Sequence, residues 1–379
     1  MQLFAYPFRI FFLSLGVLAL LVVPLWAFMA SGQLVMPTAL PGVFWHQHEM
    51  LFGFLSAAIA GFLLTAVCVW TNTERLHGRI LLWLWLVWLA GRLLLALGET
   101  MPFWLVQGIN LAFLPLIMID AGWRIWKAKQ PKQWLILLVL GILWAMQIAF
   151  VVTLDHHYIE AGLIAALALS SIIGGRITPA FTAGWLKQRG GDAQAVRVLP
   201  RLDFAVLINM ICLVLLMVAD WSVGVAVLAL SAAVLMLIRL YGWHGWLTSR
   251  EPLLWILHIS LLWVPLSLLL LVGHAVFGWS DSAWIHAAGI GVVGSLVLGV
   301  IARVSLGHTG RTMVLPTGMV TAFFAIQLAT LVRVATALEL VPWAGGIMLT
   351  GLLWEVAFLI FLLRYAVVLG APRIDGRPG

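Results

Sequence analysis

The stretch WHQHEM, Trp45 to Met50, opens onto LFGFLSAAIAGFLLTAVCVW, Leu51 to Trp70, a run without one charged residue. At a helical rise of about 1.5 Å per residue, some twenty apolar residues cross the roughly 30 Å of hydrocarbon in a bilayer. The run therefore reads as a membrane-spanning helix whose mouth carries two imidazoles and a carboxylate. Ionisable side chains are costly in such a place and mark functional sites. Neutral imidazole nitrogens where water is scarce are what a heme iron or a copper ion takes as ligands, so His46 and His48 are the first candidates for a metal site.

Composition extends the membrane reading to the whole chain. Hydrophobic residues make up 64% and charged residues 9% of its 379 positions, and the mean hydropathy is +1.10, far outside the soluble range. The predicted fold class is all-α, a polytopic integral membrane helical bundle. The first apolar run, Ile10 to Met29, has only Arg9 before it and no small-residue cleavage site, so it reads as a retained helix and not a signal peptide. Cys68 and Cys212 lie inside apolar runs far apart in sequence, which gives neither a disulfide framework nor a thiolate metal motif, and both are assigned to helix packing. A net charge of +7 would suggest nucleic acid in a soluble protein. Here the basic residues stand in loops and report topology, and no nucleic-acid partner is expected.

Windows of membrane-crossing length give twelve helices, at about 8–30, 45–70, 79–97, 101–126, 133–153, 157–186, 202–219, 221–247, 252–277, 283–307, 313–337 and 343–369. Breaks fall at turn-forming or charged stretches such as Gln130-Pro131-Lys132, Arg250-Glu251-Pro252 and Val341-Pro342. The 21 Lys and Arg residues lie near the termini and the even-numbered loops, apart from some that fall within the spans, among them Arg92, Arg176, Arg303 and Arg333. None falls in an odd-numbered loop, and those loops hold Glu99, Asp155, Asp220, Asp281 and Glu339 instead. Because Lys and Arg favour the cytoplasmic side, both termini are predicted to be cytoplasmic, which requires an even number of spans. The longest loop, about 187–201, is short, polar and basic, with no phosphate cradle or catalytic module, so residues 1–379 read as a single transmembrane domain. Arg124, Lys127, Lys129 and Lys132 read as anchors on anionic membrane lipid.

This topology sorts the ten histidines by depth. His46 and His48 start the second helix on the outer side, His286 starts the tenth there and His274 ends the ninth, while His156 and His157 lie in an outer loop. His77, His244, His258 and His308 form an inner group. His286 and His308 stand 22 residues apart on one helix, a separation of roughly 33 Å, so they cannot share one metal and two separate sites are allowed, one near each face. The spacing His-x4-Gly-x7-Gly occurs twice, as His48, Gly53, Gly61 and as His286, Gly291, Gly299. Small residues there let a helix or a flat ring approach the backbone closely, which fits a pair of related ligand helices as well as plain packing. His77, His156 and His157 read as solvated, and His244 and His274 as interfacial. His258 lies more than a turn inside the membrane, where an unpaired imidazole is expensive, and calls for a metal or a hydrogen-bonded partner.

The blocks Trp45-His46-Gln47-His48-Glu49-Met50-Leu51-Phe52-Gly53, Gly174-Gly175-Arg176-Ile177-Thr178-Pro179-Ala180-Phe181, Leu257-His258 and Ala302-Arg303-Val304-Ser305-Leu306-Gly307-His308-Thr309-Gly310-Arg311 together resemble the NnrS family. The resemblance runs from Pro7-Phe8-Arg9 to the last helices. It implies a membrane protein of about twelve helices that contains heme and copper, is produced under nitric oxide control and protects against nitrosative stress. By that analogy the ligand candidates are His46, His48, His258, His286 and His308, with the division between heme and copper left open. A weaker similarity links the second helix to the heme-bearing helix of the heme-copper oxidases. Those enzymes hold copper with three histidines, including an adjacent pair; here the adjacent pair His156-His157 stands in a loop, which argues against oxygen reduction.

Several expectations follow from the resemblance. His48 and His286 hold a heme b, with His46 as an alternative ligand or a supporting one. Arg92 and Arg333 lie in the outer half, where a guanidinium can pair a heme propionate bidentately, or else simply pair Glu49, Glu99 or Glu339. An inner metal is expected at His258 and His308, with His244 as a further ligand. The expected partners are nitric oxide, membrane lipid and an electron donor, and the expected location is the bacterial inner (cytoplasmic) membrane. A heme-copper-oxidase-like reductase of nitric oxide, or a metal-free transporter or sensor using the histidines as a proton or ligand path, are the alternatives.

Overall fold

The computed structural model describes residues 2–376. Twelve helices are long and apolar enough to cross a membrane: α1 (Pro7–Ala30), α2 (Gly42–Thr71), α3 (Gly78–Leu97), α4 (Phe103–Lys127), α5 (Pro131–Thr153), α6 (His157–Gln188), α7 (Pro200–Val218), α8 (Ser222–Gly242), α9 (Pro252–Phe277), α10 (Asp281–His308), α11 (Met319–Ala337) and α12 (Trp343–Gly370). No strand occurs among the described residues. A segment crossing hydrocarbon must satisfy every backbone N–H and C=O from within, and in a chain of uncharged apolar runs the helix does so. The protein is a multi-pass, all-helical membrane protein.

The observed bounds follow the predicted spans, with two departures that have local causes. The eighth helix stops at Gly242 rather than near 247, because His244 takes a left-handed φ of 53° and a 3₁₀ turn, Gly245–Thr248, follows. The eleventh begins at Met319 rather than near 313, after Pro316 and Gly318, whose φ is 90°. A proline there offers no N–H to a helix, and that φ suits glycine alone.

The chain divides into two compact units. One takes the residues up to Ile159, then Ile301–Pro316 and the chain from Trp354 onward; the other takes Glu160–Val300 and Thr317–Leu353. In the first, α1 lies along α2 so closely that a Cβ on Gly61 would sit 2.5 Å from the Phe12 ring. The Phe8 amide donates to Thr65 Oγ1 at 3.2 Å, and α3 joins through Trp85 donating to Ser14 Oγ at 2.8 Å. The end of α12 is tied to the start of α1 by the buried Arg9, whose guanidinium donates to the carbonyls of Leu369 at 2.6 Å and Ala371 at 2.7 Å. Those carbonyls lie past the last intrahelical donors and need such partners.

The second unit explains the paired glycines of α6. Gly174 receives the Leu261 side chain of α9, and Gly175 leaves room for the Arg239 guanidinium, which would collide with any Cβ there. Arg239 in turn holds Asp203 at 2.5 Å and the Ser171 hydroxyl at 2.6 Å. A hydrogen-bonded chain ties α9, α10 and α11: Trp263 Nε1 donates to Gln327 Oε1 at 2.8 Å, Gln327 Nε2 to Ser295 Oγ at 2.8 Å, and Ser295 meets Ser260.

Candidate functional site

The helix that carries His48 is not a uniform α-helix. Gly42–His48 is α-helical, Glu49–Phe54 widens into a π-helix, and Leu55–Thr71 returns to α. α10 repeats this plan: Asp281–His286 is α, Ala287–Gly294 is π, and Ser295–His308 is α again. Each candidate histidine thus immediately precedes a π segment, and each π segment holds the first glycine of its motif, Gly53 or Gly291. Segments of π-helix are rare and concentrate at functional sites. The repeated spacing read in the sequence is therefore a repeated local structure, and it falls at the Lys/Arg-poor end of both helices.

In the first unit His48 is 0% exposed and Glu49 1%. The Gln147 amide of α5 donates to His48 Nε2 at 3.2 Å, while His48 Nδ1 lies 3.7 Å from Glu49 Oε1. A neutral imidazole that accepts at Nε2 carries its proton on Nδ1, so the carboxylate side sees an N–H and the lone pair points away from it. The rings of Phe52 and Phe150 stand 5.2 and 6.4 Å from the imidazole and keep its surroundings apolar. Glu49 is paired by Arg92 of α3 at 3.1 Å, and Arg92 also donates to Asn110 of α4. Gly53 makes this possible, since a Cβ there would overlap the Arg92 guanidinium and lie 2.8 Å from Glu49 Oε2. Trp88 closes the cluster by donating to the Gly53 carbonyl at 3.1 Å. Gln107, a turn before Asn110 on α4 and 0% exposed, has no hydrogen-bond partner for either amide atom. His46 takes a different direction and stacks on Trp26 at 4.9 Å and 12°.

In the second unit His286 is held at Nδ1 by its own helix, 2.8 Å from the Ser282 carbonyl and 3.2 Å from the Ser282 hydroxyl. Arg333 of α11 donates to the same hydroxyl at 2.6 Å. The carbonyl accepts only, so Nδ1 bears the proton and Nε2 the lone pair. His48 and His286 thus share a tautomer, with the proton on Nδ1 and the lone pair on Nε2; at His286 the Ser282 carbonyl holds the Nδ1–H, and at His48 the Nε2 lone pair accepts from Gln147. The notch at Gly291 is filled by Trp263 and Thr330, and the one at Gly299 by Ile256 and Leu257. All four motif glycines therefore admit side chains of neighbouring helices.

At the Lys/Arg-rich ends, His308 belongs to the first unit and His258 and His244 to the second. His308 meets Phe8 at 5.6 Å, and its carbonyl accepts from Arg373 at 2.8 Å. Asp375 in turn binds Arg373 and raises its pKa further. His258 finds the hydrogen-bonded partner its depth called for, Thr182 Oγ1 at 2.9 Å, with Trp243 at 6.4 Å. His244 turns to its own Gly242 carbonyl at 3.0 Å and packs on Trp246 at 4.8 Å. Among the described residues, one group of three His, Cys, Asp or Glu side chains brings its ligand atoms within 4.8 Å of one another: His156, His157 and Glu160.

The sequence did not point to Gln147, Gln107 or Asn110, although uncharged amides inside spans are themselves a signal in apolar helices. The π segments left no trace beyond the glycines. Arg92 was weighed against several acids, and the structure has it on Glu49. No curated protein matches the chain. Its sequence matches the family described as NnrS protein over residues 2–373, nearly its entire length, and the chain belongs to the NnrS family.

Proposed function

We propose that the protein binds nitric oxide at a histidine-held heme b and thereby serves detoxification or nitrosative-stress tolerance in the bacterial inner membrane. Family membership ties the chain to the nitric oxide response. The observation that carries the heme reading is the twice-built element of a histidine followed at once by a π segment, at His48 and at His286. Its donor chemistry suits heme iron, which takes neutral imidazole. When bound, the heme supplies an iron position for the diatomic ligand.

The remaining steps belong to the chain. Gln147 and Ser282 fix the two tautomers, Phe52 and Phe150 keep water from the His48 imidazole, and the Arg92 pairing neutralises Glu49 so that a buried carboxylate does not draw solvent inward. His46, stacked on Trp26 of α1, supports the entrance. The same reading puts copper at the Lys/Arg-rich ends, with His258, His308 and His244 as the candidate imidazole donors, and both termini in the cytoplasm, a side that the charge distribution of the loops favours.

The test is heme quantification and the Soret spectrum of purified protein, compared with His48→Ala and His286→Ala. Each substitution is expected to remove or shift the Soret band while the protein stays extractable and monodisperse. Unchanged heme content in both variants would overturn the assignment.

A further inference from the structure

The cluster at the head of α6 stands apart from everything described so far. Asp155 caps the helix start, accepting from the His157 backbone N–H at 3.0 Å and from His157 Nδ1 at 2.9 Å. Those two hydrogen bonds hold the Asp155 carboxyl below the usual carboxylate range. They also set the His157 tautomer, with the proton on Nδ1 and the lone pair on Nε2. A carboxylate that holds one ring nitrogen while the other is directed outward is the arrangement that supports metal-bound histidines. The His156 ring lies 5.0 Å from that of His157. Glu160 follows one turn later on the same face of the helix and is 8% exposed. The three residues lie within five positions of one continuous turn, so helix geometry itself sets their arrangement.

Two imidazole nitrogens and one carboxylate oxygen form a donor set of intermediate hardness, suited to copper(II) or zinc(II). Bonds of about 2.1 Å place tetrahedral ligands about 3.4 Å apart. The donor atoms here already fall within 4.8 Å, and rotation of the two imidazoles, neither of them buried, supplies the remaining ångström or so. Placement adds a second observation. α2, α6 and α10, each four helices from the next, are the three most buried of the twelve. α6 carries His157, Gly162 and Ser170 in the register of His48, Gly53, Gly61 and of His286, Gly291, Gly299. The helix head that bears a candidate ligand in α2 and α10 thus bears a ready group of three in α6.

We propose that His156, His157 and Glu160 form a binding site for one divalent transition-metal ion, copper(II) or zinc(II), with Asp155 orienting His157. The test uses the full chain without a histidine tag, in detergent, stripped with a chelator and titrated with copper(II) under electron paramagnetic resonance, with zinc(II) as competitor. The expected result is that one copper equivalent, with its nitrogen hyperfine pattern, is lost in His156→Ala/His157→Ala while copper held at the Lys/Arg-rich ends remains, and that the affinity of this one site falls about tenfold or more in Glu160→Gln and in Asp155→Asn. Zinc displacing the copper signal assigns the shared site, and failure to displace it restricts the site to copper. The Soret band serves as the folding control and is expected to be the same in all variants, which separates this site from the heme reading. Copper stoichiometry and spectrum unchanged in the double variant would overturn the proposal.

Discussion

Gly53→Ala tests whether the motif glycine exists for the buried ion pair behind it. A Cβ at this position lies 2.8 Å from Glu49 Oε2 and overlaps the Arg92 guanidinium, so the guanidinium must retreat by about an ångström to reach ordinary contact. That lengthens a pair now at 3.1 Å to about 4.3 Å. At an effective dielectric constant of about 20 the attraction falls from about 5 to about 4 kcal/mol. Overpacking a rigid buried site adds about 1–3 kcal/mol, so a total loss of about 2–4 kcal/mol is expected. Thermal unfolding in detergent, followed by tryptophan fluorescence, measures it. The control is the same substitution in an Arg92→Met background, where the flexible thioether bends away and the glycine-to-alanine penalty should fall below about 1 kcal/mol. An equal penalty in both backgrounds would refute the reasoning, because it would mean that Gly53 accommodates something other than the guanidinium.

Two further outcomes follow from buried cations elsewhere. Gly175→Ala should push Arg239 off Asp203 and Ser171 and destabilise the second unit by about 2–4 kcal/mol, read as earlier loss of hydrogen-exchange protection in α8 than in α3. Arg9→Leu should leave the Leu369 and Ala371 carbonyls without their donor at a cost of about 2–4 kcal/mol, visible as faster proteolysis after α12; equal cleavage rates would show that the clamp is dispensable.

The twelve crossings were legible because hydrocarbon sets both length and composition, and a loop side with no Lys or Arg independently demanded an even count. Helix ends were less legible where turn chemistry intervened, as at His244 and Pro316. The histidines at helix heads could be read from their spacing, yet the role of the glycines could not. Their spacing announces close approach, but which group approaches depends on tertiary register, and Gly53, Gly61, Gly291 and Gly299 each admit a different side chain. Arg92 faced three acids in the sequence argument; only packing selects Glu49. His156 and His157 read as solvated loop residues because nothing in a local pattern marked Glu160 as their neighbour, although an i, i+3 pair at a helix start holds that information.

The Arg9 clamp also bears on how the chain is made. The unit that begins with α1 contains residues that are translated last, from Trp354 onward, whereas Glu160–Val300 and Thr317–Leu353 emerge earlier and belong together. The usual order, in which the N-terminal part of a chain completes first during synthesis, is therefore inverted here. The first five helices must wait in the membrane without this clamp until α12 leaves the ribosome, and a chain that stops short of Leu369 never supplies the carbonyls that accept from Arg9.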